Sequence, residues 1–468
     1  MDLKEISNRF LKWEIENKLY DIKVKDFPIY CLLRVEIYES LMFDSSLKSI
    51  LLKEDKSQAK RINYLKLGYS VISFFFKQRL LKNSNLYITN TDNKIKYREI
   101  YVDNFFDKLI DKDPGKVAVL EFPNIINYHF DNLKNKEKIL KAGFLYAAEK
   151  IFKDRVDKSQ LTKEVDRISK YYKQLYLSIN KTELYENIDF LIKKRIIRNL
   201  KRIHIYEKLI KYYSPKVVYL KSAYSPLKQI LIYVCRKHST KIIEVQHGHI
   251  YPYHIGYLLA RDKGDIKNLL PNHIYVWSRY YKNVLLENNW NNDTIKIKGD
   301  FTYNHELNEI NLKNSHRINE LINDYKTIIT IISQHTLCKE IDEFLNDMEK
   351  LPSDVAILIK LHPRLKLSQE EIFNKKASQF KNIMIVRDGN IKLYFEVSDL
   401  IIGVYSTAII EALEMQKTVH LIDIRVSDFF EDFIQNNIVQ KTKSIFESYK
   451  MLKYQPEKIK VVFREPFN

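Results

Sequence analysis

Residues 355–364 read VAILIKLHPR, residues 383–390 IMIVRDGN, residues 399–413 DLIIGVYSTAIIEAL and residues 418–424 TVHLIDI. Each holds a short apolar run that closes on polar residues. The third passes through a Ser-Thr pair into a segment with helical spacing. Short apolar runs alternating with helix-period segments predict parallel strands joined by crossover helices. TIITIISQHT at 327–336 opens the same sheet. Ligands of such sheets sit beyond the carboxyl ends of the strands. Lys360, His362, Arg364, Asp388, Ser406 and Thr407 fall at those ends, so one crevice can collect them.

The same alternation appears upstream. KVVYLKSAY (216–224), KIIEVQHG (241–248), HIYVWS (273–278) and IKIKGD (295–300) read as strands, with a helical LKQILIYVCRKH between the first two. NLYIT (85–89), EIYVD (99–103) and KVAVLEFP (116–123) are earlier strands. Residues 1–83 and 132–213 read as mainly helical. The Asn-rich, polar stretch 301–325 suits a hinge. The predicted fold is α/β: two doubly wound, Rossmann-like halves with N-terminal helical additions. The first half covers 1–300, the hinge 301–325, the second half 326–445 and a tail 446–468.

Composition narrows the class. The chain has 468 residues, 45% of them apolar, enough for more than one core. Cys31, Cys235 and Cys338 are far apart and lack CxxC spacing, which fits a reducing cytoplasm rather than a disulfide framework or zinc finger. The N-terminus is charged and amphipathic, unlike a secretory signal. The longest apolar run, LGYSVISFFF, is about half of the ~20 residues a spanning helix needs. The expectation is a cytoplasmic protein, with peripheral contact to the inner face of the plasma membrane through basic helices. The net charge of +19 has two readings: an anionic membrane or polyanion partner, or a composition rich in lysine. The basic residues of 47–82 (Lys48, Lys53, Lys56, Lys60, Arg61, Lys77, Arg79) and 192–213 (Lys193, Lys194, Arg198, Lys201, Arg202) divide the same way, between lipid contact and a solvated face. No nucleic-acid-binding module is present.

The strand ends suggest chemistry. Lys360, His362 and Arg364 alternate at one exit and suit a phosphate, which takes cations and donors. Ser406 and Thr407 open a helix, where hydroxyls and free N–H groups make an anion site. Glu411 lies one turn on, either near a ribose diol or simply on a helix surface. Gln334 sits in the Ser333–Thr336 loop among further donors. In the first half, His247 ends a strand before Gly248, and a neutral imidazole accepts a proton from a hydroxyl nucleophile. Glu244 and Glu121 are reserve bases. His247, His249 and His254 do not match a known ligand spacing, so no metal is expected. GxGxxG, Walker, GxSxG and HExxH motifs are absent, which disfavours dinucleotide dehydrogenases, P-loop enzymes, lipase-like hydrolases and zincins.

At these residues the chain resembles GT-B glycosyltransferases of bacterial surface-polysaccharide synthesis. KLHPR followed by GVYSTAIIEAL resembles the HP and Ser-Thr motif pair of bacterial sialyltransferases, capsule Kdo transferases and polymerases that use CDP-glycerol. VQHG resembles a motif of capsule and surface-polysaccharide proteins. The resemblance spans roughly residues 215–425. It implies two halves facing across a cleft, no cofactor beyond a nucleotide-sugar donor (CMP-linked in one reading) and a glycan or lipid-linked glycan acceptor. It implies that His362, Ser406 and Thr407 bind the donor phosphate and that Glu411 lies near the ribose. The acidic base motif of the sialyltransferases has no convincing copy here, which shifts the base to His247. A polyol-phosphate transferase using CDP-glycerol is the alternative implied by the same motifs.

Overall fold

The computed structural model describes residues 2–52, 64–122, 132–151, 157–182, 186, 188–261, 264–303, 323–362, 365–387, 389, 391–452, 463–464 and 466. The chain forms two units, Met1–Asn304 with Arg464–Asn468, and His305–Phe463.

The first unit is built on seven parallel strands: β1 (Asn85–Asn90), β2 (Val117–Phe122), β3 (Ile139–Lys141), β4 (Val217–Leu220), β5 (Lys241–Val245), β6 (His273–Val276) and β7 (Ile295–Ile297). Their spatial order is 7-6-5-4-1-2-3. The second unit has six: β8 (Thr327–Ile332), β9 (Val355–Lys360), β10 (Ile383–Val386), β11 (Leu400–Gly403), β12 (Thr418–Ile422) and β13 (Gln440–Thr442), in the order 10-9-8-11-12-13. Both are Rossmann-like sheets. All six residues of β2 and all six of β9 are buried. Parallel strands covered on both faces lose the polar-apolar alternation and read as unbroken apolar runs.

Several local readings differ from the structure. EIYVD does not join the large sheet. Ile100–Asp103 pairs antiparallel with Lys94–Tyr97 in a separate hairpin. Inside the segment read as helical, Ile139–Lys141 forms β3 at the sheet edge; three residues among lysines carry too short a pattern to register. Arg202 does not lie on a solvated face: it is buried, with Nε 2.6 Å from Glu149.

Most of the expected hinge lies outside the described residues. Its first three residues belong to the first unit. Phe301 is fully buried in that core, and the Tyr303 N–H donates to Asn104 at 3.0 Å. The expected tail divides as well. Ile445–Met451 is a helix of the second unit, capped by Ser444 and tied to β13 by a 2.6 Å bond between Thr442 and Ser448. Arg464 lies with the first unit, 3.4 Å from Asp300 and over the Trp277 ring.

The N-terminal helices clamp a loop of the first sheet. Arg34, on the helix Arg34–Met42, makes a buried two-pronged pair with Glu14 at 2.6 and 3.0 Å. Two more of its donors go to the carbonyls of Ile255 and Leu258, at 2.6 and 3.0 Å. The Tyr38 hydroxyl donates to the Tyr253 carbonyl at 3.1 Å. Among the described residues no helix is long and apolar enough to cross a membrane.

Candidate functional site

Each sheet reverses its building direction once: at β4 beside β1 in the first unit, and at β11 beside β8 in the second. At such a point, the connections leaving neighbouring strands run to opposite faces and leave a crevice beyond the carboxyl ends.

In the second unit, the loop after β8 joins the exits of its two neighbours. The Ser333 N–H donates to the Lys360 carbonyl at 3.0 Å, and the Ser333 hydroxyl accepts from the His362 N–H at 2.8 Å. The His362 and His335 rings lie 4.9 Å apart, and the His335 carbonyl accepts from Gln369 at 2.6 Å. On the other side, the Thr336 and Tyr405 hydroxyls are 2.7 Å apart. Tyr405 precedes Ser406, the N-cap of the helix Thr407–Glu414, whose hydroxyl accepts from the Ala408 N–H at 3.3 Å. A continuous line of His362, His335, Thr336, Tyr405 and Ser406 therefore crosses three strand ends. Thr407, the first helical residue, is partly exposed.

The other predicted residues of this unit sit less openly. The Lys360 ammonium turns to the Arg387 carbonyl at 2.5 Å and over the Tyr394 ring, so it serves the β9–β10 exit rather than pointing ahead of the strand. Gln334 is buried, and its carbonyl accepts from the Leu337 N–H. Glu411 is buried too, not on a helix surface. Arg364 and Asp388 lie outside the described residues.

In the first unit, His247 follows β5. Its Nε2 is 3.0 Å from the Ser222 hydroxyl and 3.5 Å from that of Tyr224. Burial, the Lys221 charge and His254 hold the imidazole well below its ordinary pKa, so it is neutral at neutral pH. Glu244 is interior, 1% exposed. One oxygen accepts from the Ala223 N–H at 2.9 Å and the Tyr257 hydroxyl at 3.0 Å. Burial pushes its carboxyl up to about 7. Glu244 thus ties down the 221–225 loop through Ala223, while its second oxygen has no hydrogen-bond partner among the described residues. Glu121 is closed in by ion pairs with Lys141 and Lys94. His249 stacks on Tyr280, while His254 Nδ1 accepts from the Gly256 N–H at 3.1 Å. Among the described residues no group of three or more His, Cys, Asp or Glu is placed to hold a metal ion.

Two lysines escaped the sequence reading. Lys221 leaves β4 as Lys360 ends β9; it bonds to Asn93 and lies 4.2 Å from the centre of the Phe105 ring, which itself packs on His247. Lys228, in the first turn of the helix Pro226–Lys237, is 5% exposed. The one cue was KSAYSP, a strand exit that meets Pro226 at a helix start.

Each unit is thus a Rossmann-like sheet with polar side chains gathered at its switch point. Residues 318–422, less than a quarter of the chain, match the family model described as capsule polysaccharide biosynthesis protein. No curated protein matches. Among solved structures, the chain is similar to UDP-GlcNAc 2-epimerase from Neisseria meningitidis bound to UDP-GlcNAc, at 12% identity over 80% of this chain and 92% of that one, TM-score 0.47. It is also similar to UDP-GlcNAc 2-epimerase from Methanocaldococcus jannaschii in complex with UDP-GlcNAc and UDP (13% identity, 82% and 96% covered, TM-score 0.45). A glycosyltransferase from Rickettsia africae matches at 13% identity, with 80% and 88% covered and a TM-score of 0.41. At these TM-scores the likenesses carry no weight for activity.

Proposed function

We propose that the chain is a metal-independent glycosyltransferase of capsule or lipopolysaccharide synthesis, needing no cofactor beyond its nucleotide-sugar donor. The observation that carries the reading is the line from His362 to Ser406 across the switch point of the second sheet, inside the stretch that matches the capsule family. In this reading the second unit holds the donor. Charge growing on the leaving phosphate is met by His362, by the Ser406 and Thr407 hydroxyls and by the helix N-terminus. The first unit holds the acceptor glycan, and His247 takes the proton of its hydroxyl. Nε2, already in a hydroxyl hydrogen bond with Ser222, is the atom for that transfer, the acceptor hydroxyl taking the serine's place.

The acceptor in this reading is lipid-carried, at the inner face of the plasma membrane. Ile72, Phe75 and Phe76 are exposed on the helix Tyr64–Lys77, and Tyr212 is exposed on the helix Asp189–Tyr213. Beside them lies a groove of about 640 Å³ lined by Phe74, Phe144, Leu209 and Tyr213, with Lys208 and Lys211. Apolar side chains among lysines suit an anionic lipid surface.

A panel of CMP-, CDP-, UDP- and GDP-linked sugars and CDP-glycerol, assayed by calorimetry and donor turnover, tests the assignment. One nucleotide class should bind. His362→Ala should weaken that binding, whereas His247→Ala should leave it intact and slow turnover by roughly 10²-fold or more. Equal nucleotide affinity in His362→Ala would overturn the donor site. Turnover of CDP-glycerol alone would make the protein a polyol-phosphate transferase.

A further inference from the structure

The switch point of the first sheet carries an electrostatic anomaly. Lys228 is 95% buried by its 5% exposure, and its Nζ has no hydrogen-bond partner among the described residues. The ammonium lies over the Phe122 ring, 5.1 Å from its centre, at the carboxyl end of β2. Its position is unfavourable three times over. It is removed from water; it sits near a second cation, Lys221; and it belongs to the first turn of a helix, where the macrodipole is already positive. Burial and Lys221 accordingly lower its pKa to about 7, with the exposed Asp92 carboxylate acting in the other direction. The N-cap residue, Ser225, is uncharged and makes no side-chain bond to the first turn. The surrounding groups are the strand exits of the crevice: Asn93, just after β1, holds Lys221, and Phe122 ends β2. Asp92 does not offset burial and Lys221, so a further negative group arriving from outside is what would hold the amine charged.

We infer that the junction of Lys228, Lys221 and the start of the helix Pro226–Lys237 binds an oxyanion, a carboxylate or a phosphate carried by the acceptor. The inference deepens the reading of the first unit as acceptor-binding and rests on it for the word acceptor. The oxyanion accepts from the Lys228 ammonium and lies in the positive field of Lys221 and the helix start. An acidic sugar and a phosphorylated carrier both offer such a group.

The test uses the full chain, with sodium glucuronate as the sugar carboxylate and inorganic phosphate as the phosphate. Thermal unfolding is followed against the concentration of each, in the wild type and in Lys228→Met, which removes the charge at similar volume. At least one probe should stabilise the wild type, and Lys228→Met should bind it roughly tenfold or more weakly. Which probe responds separates the carboxylate from the phosphate source. Inorganic phosphate also suits the second unit, so only the difference between wild type and variant counts. An independent measurement needs no variant: acetic anhydride labelling of Lys228, read by mass spectrometry, should slow when the same probe is added. The inference is overturned if neither probe stabilises the wild type, if Lys228→Met retains full affinity, or if the probe gives Lys228 no protection. Nucleotide binding, measured on the same samples, scores the glycosyltransferase reading separately. A Lys228-dependent oxyanion site in a protein that binds no nucleotide would keep the site and discard that reading.

Discussion

At the scale of residues, the two strand-end groups of β5 divide their work through burial. His247 keeps a hydroxyl partner and a neutral ring, whereas Glu244 is locked beneath the loop it supports. The raised Glu244 pKa has a consequence for stability. Between the ordinary carboxylate value of about 4.3 and the folded value of about 7, the native state binds more protons than the unfolded state. Stability from this group is therefore full below the lower value and is lost as pH rises through the higher one, by roughly 4 kcal/mol in all. Glu244→Gln keeps an acceptor for Ala223 and Tyr257 and has no charge to bury. Its urea midpoint should match the wild type near pH 5 and exceed it near pH 8. A gap that does not change with pH would refute the burial argument. The sequence placed both residues at the strand end, but only packing revealed which of them is enclosed.

At the scale of elements, the N-terminal helices are part of the site's support. Arg34 answers Glu14 with two of its donors and the Ile255 and Leu258 carbonyls with two more. Arg34→Met leaves Glu14 buried without its cation, a loss on the order of 3–5 kcal/mol. Arg34→Met combined with Glu14→Leu should recover much of it, as read by urea unfolding. A double variant no more stable than the single one would show that the carbonyl contacts, not the ion pair, dominate. Glycines carry a related lesson. Gly248 drew notice in the sequence for its place beside His247, yet it is Gly256 whose missing side chain matters: an added Cβ would fall into the Tyr224 ring, which borders His247. A contact between residues thirty-two positions apart leaves no periodic trace. Gly299, just past β7, does use a left-handed backbone, with φ of 75°.

At the scale of the whole molecule, the net charge of +19 and the exposed aromatic surface make a joint prediction. The protein should sediment with vesicles containing phosphatidylglycerol and much less with phosphatidylcholine alone. Added salt should weaken the binding, since exposed charges more than about 8–10 Å apart are screened near physiological ionic strength. Phe75→Asp with Phe76→Asp should abolish what the salt leaves. Unchanged sedimentation of the double variant would remove the aromatic surface from the account. The two sheets were legible because strands buried on both faces must be apolar throughout. Their small outliers, the hairpin at 94–103 and β3, were not, because segments this short lack a repeat.

The sequence by itself determined two Rossmann-like sheets and put His247, His362 and Ser406 at strand ends. Those features follow from local patterns: apolar runs, helix starts and the residues that terminate them. Only the tertiary structure decided that Lys360 turns to the Arg387 carbonyl, that Glu244 is sealed beneath its loop and that Lys228 is buried with no hydrogen-bond partner among the described residues. Burial and pairing depend on what distant segments bring alongside, and the desolvation of a charge is set by that company rather than by its neighbours in the chain.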